Sequence, residues 1–353
     1  MAQGWWQRRG LMAHLLYPLS CLTRLVVSHQ QRPAAKAQAW RAPLPVLVIG
    51  NIYVGGTGKT PVVIACAKAL VLKGWKPGIV SRGYGVDIGP IPKVAQGLAD
   101  PRLYGDEPTL IAHESGCPVS VHPKRKLAIQ ALLAAQPDVN LIISDDGLQH
   151  VEMARDVEIV VQDERGVGNG WLLPAGPLRE PVTRLDEVDA VITRMSAVAD
   201  NEKPSFWPPP TNNPRHLLMT LQPTCFRQVQ TGRTLSLSEM RAFAQGKSVG
   251  AAAGIGVPQR FFDTLMAAGM HLAWTRPLPD HAQMDANTFS DIQSDLIFIT
   301  AKDAVKCRSL GDDRLWALEV EPCFTDCDHA KRVESDFFTW LDHRLREVGA
   351  QKS

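Results

Sequence analysis

The run Gly55-Gly56-Thr57-Gly58-Lys59-Thr60 has the composition of a phosphate-binding loop. Glycines let backbone N–H groups turn inward on phosphate oxygens, and a helix that begins at the loop adds its positive N-terminal end. Gly55, Gly56, Thr57 and Gly58 would form the cradle. Lys59 would reach the β- and γ-phosphates of a nucleoside triphosphate, and Thr60 would ligate Mg2+. The usual spacing places another glycine five residues before Gly58, where this chain has Tyr53. A second cluster, Ser144-Asp145-Asp146-Gly147-Leu148-Gln149-His150, closes an apolar run. Carboxylates at the C-terminal end of a parallel strand sit beside a phosphate loop, where Asp145 and Asp146 can hold Mg2+ directly or through water. The plainer alternative is an acid pair that caps a turn.

Gly105-Asp106-Glu107-Pro108 opens a predicted helix, and Asp106 by itself reads as an N-cap. Asp280-His281 by itself reads as a solvated loop pair. A carboxylate tuned by a histidine is nonetheless what proton removal from an alcohol requires, although spacing alone does not bring Asp106 and His281 together. Ser81-Arg82-Gly83-Tyr84-Gly85 follows a strand and offers Arg82 to a phosphate. Between Gly168 and Pro181, turn residues surround an apolar stretch, a substrate-binding loop or a structural one. Cys323, Cys327 and His329 could form half a metal site, but no second ligand pair stands out.

These residues need a scaffold, and the apolar periodicity supplies one. Val46 to Ile49, Lys76 to Val80, Val139 to Ser144, Val157 to Val161 and Ala190 to Ile192 read as buried strands. Helices are predicted from about Pro61 to Leu72, Glu107 to His113 and Lys124 to Ala135. The alternation implies an α/β fold, a mostly parallel P-loop NTPase-like sheet flanked by helices. Asn201 to Pro214 reads as a linker. Beyond it, strands at His216 to Leu221, Ser248 to Ala253, Leu296 to Thr300 and Leu315 to Val320, with a helix at Pro258 to Ala268, predict a second, smaller α/β unit. A final helix runs from about Ala330 to Leu345. The expected divisions are residues 1–42, 43–214, 215–329 and 330–353: an N-terminal membrane-associated segment with its linker, the P-loop core, the smaller domain and the C-terminal helix.

A net charge of +2 over 353 residues conceals an asymmetry. No Asp or Glu precedes Asp87, whereas eleven Lys and Arg do. A basic N-terminal quarter suits a nucleotide or an anionic membrane surface. Seven scattered cysteines fit a reduced cytoplasmic setting better than a disulfide framework. At the N-terminus, Trp5-Trp6-Gln7-Arg8-Arg9 precedes an uncharged run from Gly10 to Thr23. That run is short of the roughly 20 residues a span needs, and Pro18 and Arg24 interrupt the apolar stretch. Paired Trp beside paired Arg suits an interfacial membrane helix instead.

Together these segments resemble the tetraacyldisaccharide 4′-kinase family, the lipid A 4′-kinases. The matching residues are Gly50-Asn51 with Val54 to Pro61, Ser81 to Gly85, Gly105 to Pro108, Asp145 to His150, Gly168 to Pro181, Asp280-His281 and Lys302-Asp303-Ala304-Val305-Lys306. The resemblance implies transfer of the ATP γ-phosphoryl, with Mg2+, to the 4′-hydroxyl of an acylated glucosamine disaccharide 1-phosphate. The place is the cytoplasmic face of the bacterial inner membrane. It implies a P-loop core and a smaller domain with the site between them. By motif position Asp106 corresponds to the catalytic base, His281 to its supporting histidine, and Asp145 and Asp146 to the Mg2+-associated acids. Arg82, Arg125, Gln149 and Arg179 fall in segments expected to meet substrate. The family usually has an aromatic residue shortly after Asp-His, where this chain has Ala282-Gln283-Met284, and a Glu where it has Ala301. No nucleic acid and no obligate protein partner is inferred. The competing reading is a membrane-associated P-loop NTPase that regulates a protein.

Overall fold

A computed structural model describes residues 4–32, 38–97, 99–195, 214–285, 287–325 and 333–350. The expected linker from Asn201 to Pro214 falls almost wholly outside them, as do Cys327 and His329. The helices are α1 Gly4–Gln7, α2 Leu11–Gln30, α3 Lys59–Leu72, α4 Pro101–Tyr104, α5 Asp106–Ser115, α6 Arg125–Ala135, α7 Leu237–Phe243, α8 Pro258–Ala267, α9 Ala301–Cys307 and α10 Glu334–Ala350. The strands are β1 Val46–Gly50, β2 Pro77–Ser81, β3 Lys93–Ala95, β4 Val119–Val121, β5 Leu141–Asp145, β6 Val157–Asp163 and β7 Ala190–Arg194. They continue as β8 Arg215–Gln228, β9 Thr234–Ser236, β10 Val249–Ala253, β11 Trp274–Pro277, β12 Leu296–Thr300 and β13 Leu315–Thr325.

All thirteen strands form one sheet, ordered β11-β10-β12-β13-β8-β7-β6-β1-β5-β2-β4-β3, with β9 beside β8. From β8 to β4 the pairing is parallel, and β3 closes that edge antiparallel. Parallel strands covered on both faces need apolar residues on both, and β1 does this. Leu47 and Ile49 join one core cluster, with Val62, Cys66 and Leu70 of α3 and Phe337, Leu341 and Leu345 of α10. Val46 and Val48 join the opposite cluster, with Ala128, Ile129 and Leu132 of α6.

The strand order reverses at β1, which lies between β5 and β6 while its own helix leads to β2. A crevice for ligand forms at such a switch point. The loop after β1 and the acids at the end of β5 open into it.

The smaller lobe continues the same sheet. β10 pairs in parallel with β11 and β12, and β12 with β13. β8 and β13 then run antiparallel along their length, from Trp316 opposite Gln228 to Thr325 opposite Leu218. Both strands extend well past the predicted ends at Leu221 and Val320. Their middle sections are half-exposed or exposed rather than buried, and the search for continuous apolar runs stops there.

α2 also exceeds expectation. Twenty residues are helical, passing through Pro18 and Arg24. It is the one helix among the described residues long and apolar enough to cross a membrane. Leu11, Leu15, Leu22 and Leu25 recur at helical spacing along an exposed stripe, Leu11 at 91%. Of its side chains only Ala13 and Ser20 are buried, Ser20 against the 169–176 loop. Ser20 Oγ donates to the Leu172 carbonyl at 2.8 Å and accepts from the Ala175 N–H at 2.9 Å.

Candidate active site

The loop after β1 turns on Gly55 and Gly58, at φ 96° and 91°, in the left-handed region that side chains avoid. α3 begins at Lys59, so the loop's N–H groups and the helix N-terminus converge. Asn51, wholly buried, braces the loop from within. Its amide donates to the Gly55 carbonyl at 3.1 Å and to Thr57 Oγ1 at 3.2 Å. Tyr53, the departure from the usual spacing, is buried and not in the left-handed region. Its ring lies under the Arg165 guanidinium at 4.5 Å, and Arg165 donates to the Gly56 carbonyl at 3.1 Å. The aromatic residue thus ties the loop to the segment after β6.

Lys59 Nζ lies 3.5 Å from Asp146 Oδ1. Arg179 grips the same carboxylate with two nitrogens, at 2.9 and 3.2 Å, and reaches the Asn51 carbonyl at 3.0 Å. Burial opposes charge on Asp146, but Lys59 and Arg179 outweigh it and hold its pKa down to about 2. Asp145 is buried. Ser81 Oγ donates to its Oδ2 at 2.9 Å, while Oδ1 has no protein partner. Burial pushes its pKa up, Glu107 adds to the rise, and Lys59 opposes it.

Arg125 and Gln149, expected to meet substrate, are occupied with the protein itself. Arg125 is 0% exposed and donates to the carbonyls of His122 at 3.1 Å and Asp145 at 2.9 Å. It fastens the start of α6 to the end of β5. Burial lowers its pKa to about 10, which leaves it a cation at neutral pH. Gln149 donates to the Asn51 carbonyl and to buried Glu180, whose other oxygen accepts from Gln31 beyond α2. Arg82 is exposed at the crevice. His150 is half-buried. Burial, then the Arg125 cation, drives its pKa down to about 4.

The two residues that spacing left apart meet. Asp106 begins α5 in the core lobe, and His281 sits at φ 60° in the loop after β11 of the smaller lobe. His281 Nδ1 is 3.2 Å from Asp106 Oδ2. Both line a cleft of about 440 Å3 with Tyr84 and Lys306. Glu107 follows Asp106, and its charge adds to the rise in the Asp145 pKa. Glu107, Lys302 and Lys306 lay in segments matched to the family but were given no role, and Arg165 was not singled out. The signal available was the spacing of Lys302 and Lys306, one turn apart after the capping Thr300.

A family model described as tetraacyldisaccharide-1-P 4′-kinase matches residues 12–337. The chain belongs to the tetraacyldisaccharide 4′-kinase family. A tetraacyldisaccharide 4′-kinase of Bordetella petrii is 50% identical over 99% of this chain and 96% of its own. One from Pseudomonas putida is 40% identical over 95% and 92%. The crystal structure of the LpxK from Aquifex aeolicus, described as an "apo" form in complex with ATP, superposes with a TM-score of 0.76. It is 23% identical and covers 96% of this chain and 100% of that one.

Two departures from the tetraacyldisaccharide 4′-kinase pattern find local answers. No aromatic side chain follows His281, but the ring of Tyr84, from the core lobe, lies 5.1 Å from the imidazole. Met284 is instead buried against Cys307. Ala301 begins α9, where the Thr300 hydroxyl accepts from the Asp303 N–H at 3.1 Å and caps the helix.

Proposed function

We propose that this chain transfers the γ-phosphoryl group of ATP to the 4′-hydroxyl of a tetraacyldisaccharide 1-phosphate, with Asp106 as the general base. The observation that carries the reading is the Asp106–His281 contact between lobes, beside a phosphate loop. Asp106 takes the hydroxyl proton as the oxygen bonds to the γ-phosphorus. The bond to the β,γ-bridging oxygen breaks, and its electron pair leaves with ADP. Lys59 and the loop N–H groups hold the phosphates in line, and Arg82 and Arg179 lie where a further cation can meet developing charge. Thr60, Asp145 and Asp146 would hold Mg2+, since Asp145 Oδ1 is a buried acceptor without a partner and Asp146 is kept ionised. When bound, the ion would neutralise charge on the β- and γ-phosphates. Among the described residues no three carboxylate, His or Cys groups cluster as a cage, which suits a metal held mainly by phosphate oxygens and water.

An acylated disaccharide leaves a bilayer only at a cost of roughly 0.8 kcal/mol per exposed CH2. The exposed leucine stripe of α2 supports attachment to a membrane surface, and the proposed place is the cytoplasmic face of the inner membrane. The test is incubation of purified protein with labelled ATP and disaccharide 1-phosphate, with and without Mg2+, and detection of the 1,4′-bisphosphate. Asp106→Asn is expected to lower kcat by about 10²–10⁴ while ATP still binds. Wild-type turnover in that variant rejects Asp106 as base. ATP hydrolysis stimulated by protein and indifferent to glycolipid rejects the kinase reading.

A further inference from the structure

Arg194 has no task in the reaction as described. It ends β7, level with Asp163 at the end of β6, and its side chain crosses the phosphate loop. A Cβ added at Gly58 would lie 2.8 Å from Arg194 Cδ and 3.5 Å from its Nη1, so this close approach also requires glycine there. Two other guanidiniums and two carboxylates surround Arg194. Arg165 holds both oxygens of buried Asp163, with its Nε at 2.8 and 2.9 Å. Arg260, from α8 of the smaller lobe, meets Asp163 Oδ2 at 3.3 Å and Glu164 Oε1 at 2.7 Å. Both acids are thus taken, and among the described residues no carboxylate lies within ion-pair distance of Arg194. Three cations face two anions, and the cation left over lies on the phosphate loop. Burial lowers the Arg194 pKa and the Arg260 cation lowers it further, a cost that an anion beside the guanidinium would offset.

The strand order says which part of a nucleotide this flank receives. Lys59, Asp146 and Arg179 meet on the β5 side of β1, the side of the cleft that holds Tyr84 and Asp106. The γ-phosphate, which must face the acceptor, belongs there. β6 and β7 lie on the opposite side of β1. A triphosphate laid across the N-terminus of α3 therefore turns its α-phosphate and nucleoside toward Arg194. We propose that Arg194 binds the α-phosphate of the nucleotide, which supplies the anion that the Asp163 cluster lacks. This rests on the reading that ATP binds at the phosphate loop. The bond that breaks joins the γ-phosphorus to the bridging oxygen, so the α-phosphate has the same charge in ATP and in ADP. Arg194 then contributes uniform binding, which lowers KM and leaves kcat alone. Arg165, tied to Asp163 and to the Gly56 carbonyl at 3.1 Å, keeps the loop and the arginine cluster in one frame.

Equilibrium binding of ATP and of ADP to the full-length protein in detergent micelles tests this. Arg194→Met, which keeps most of the side chain's packing and loses its charge, is expected to weaken both nucleotides by the same factor, about tenfold. The KM for ATP should rise alike with kcat at saturation held, and Arg194→Lys should recover part of the affinity. Weakened ATP with unchanged ADP would place the contact at the γ-phosphate and overturn the proposal, as would unchanged affinity for both. The α-phosphate itself is probed, without Mg2+, by the two diastereomers of ADP that carry sulfur on the α-phosphorus. The wild type should prefer one of them, and the preference should vanish in Arg194→Met; the same preference in both proteins overturns the assignment. One measurement needs no variant to fold. Phenylglyoxal modifies accessible guanidiniums, and ADP should slow its reaction with the wild-type peptide that contains Arg194. Equal reaction with and without ADP refutes the contact. A wild type that binds neither nucleotide refutes the phosphate-loop reading itself, so the two failures are distinguishable.

Discussion

Ser20→Ala isolates the link between the exposed N-terminal helix and the site. Ser20 is 3% exposed, and its hydroxyl satisfies both a carbonyl and an N–H of the loop that ends in Arg179. Alanine strands one buried donor, the Ala175 N–H, at about 1–3 kcal/mol, while the Leu172 carbonyl keeps the Gly176 N–H at 2.9 Å. α2 has few other ties to the body. The Arg9 and Gln31 hydrogen bonds are part-buried, and Arg9 and Tyr17 touch the Trp171 ring. The sheet shares none of these contacts, so the deficit should appear as local detachment of α2 and loosening of residues 169–180. A loss of about 2 kcal/mol speeds exchange through local opening roughly thirtyfold. Hydrogen exchange of a peptide spanning 169–180 should show it, while the β1 and β5 amides stay protected. Turnover should fall as the Arg179 grip on Asp146 slackens. Unchanged exchange in 169–180 would refute the idea that α2 braces this loop.

Arg125→Met should lower Tm, because the carbonyls of His122 and Asp145 lose their donor at about 1–3 kcal/mol each; a thermal melt identical to wild type rejects the brace. For His150, whose folded pKa is about 4 against an unfolded value near 6.5, the unfolded chain takes up a proton first as pH falls. His150 therefore subtracts stability between about pH 6.5 and 4, and His150→Gln should lose less stability than wild type in urea melts from pH 7 to pH 5. Equal losses would show that His150 is not held neutral in the fold.

The donor side of the site was legible because its chemistry is local. A strand, glycines at left-handed positions, Lys59 and the helix after it are contiguous, and Asp145 ends a run of buried apolar residues. Even Tyr53, an irregularity in the motif, became intelligible once Arg165 was seen over its ring. The proposed acceptor side draws on residues 106, 281, 302 and 306, and no periodicity records that segments so far apart meet. Resemblance to a family supplied that pairing before geometry did. Arg125 was placed with substrate by motif position, but its complete burial depends on how α6 packs on β5, which its sequence neighbours do not express. The short β3, β4, β9 and β11 and the seven-residue α9 escaped because three to seven residues carry little periodic signal.

The ribbon of β8 and β13 has a consequence for how the chain is made. β8 emerges from the ribosome next to β7, but its long antiparallel partner arrives only after the smaller lobe has been synthesised. Until then one edge of the core sheet is bare, an invitation to pair with another nascent chain. Closing that edge requires contacts distant in sequence, which form slowly. A product stopped between the lobes would be left with a sticky flank, so completion of synthesis is itself the step that makes the core lobe safe from aggregation.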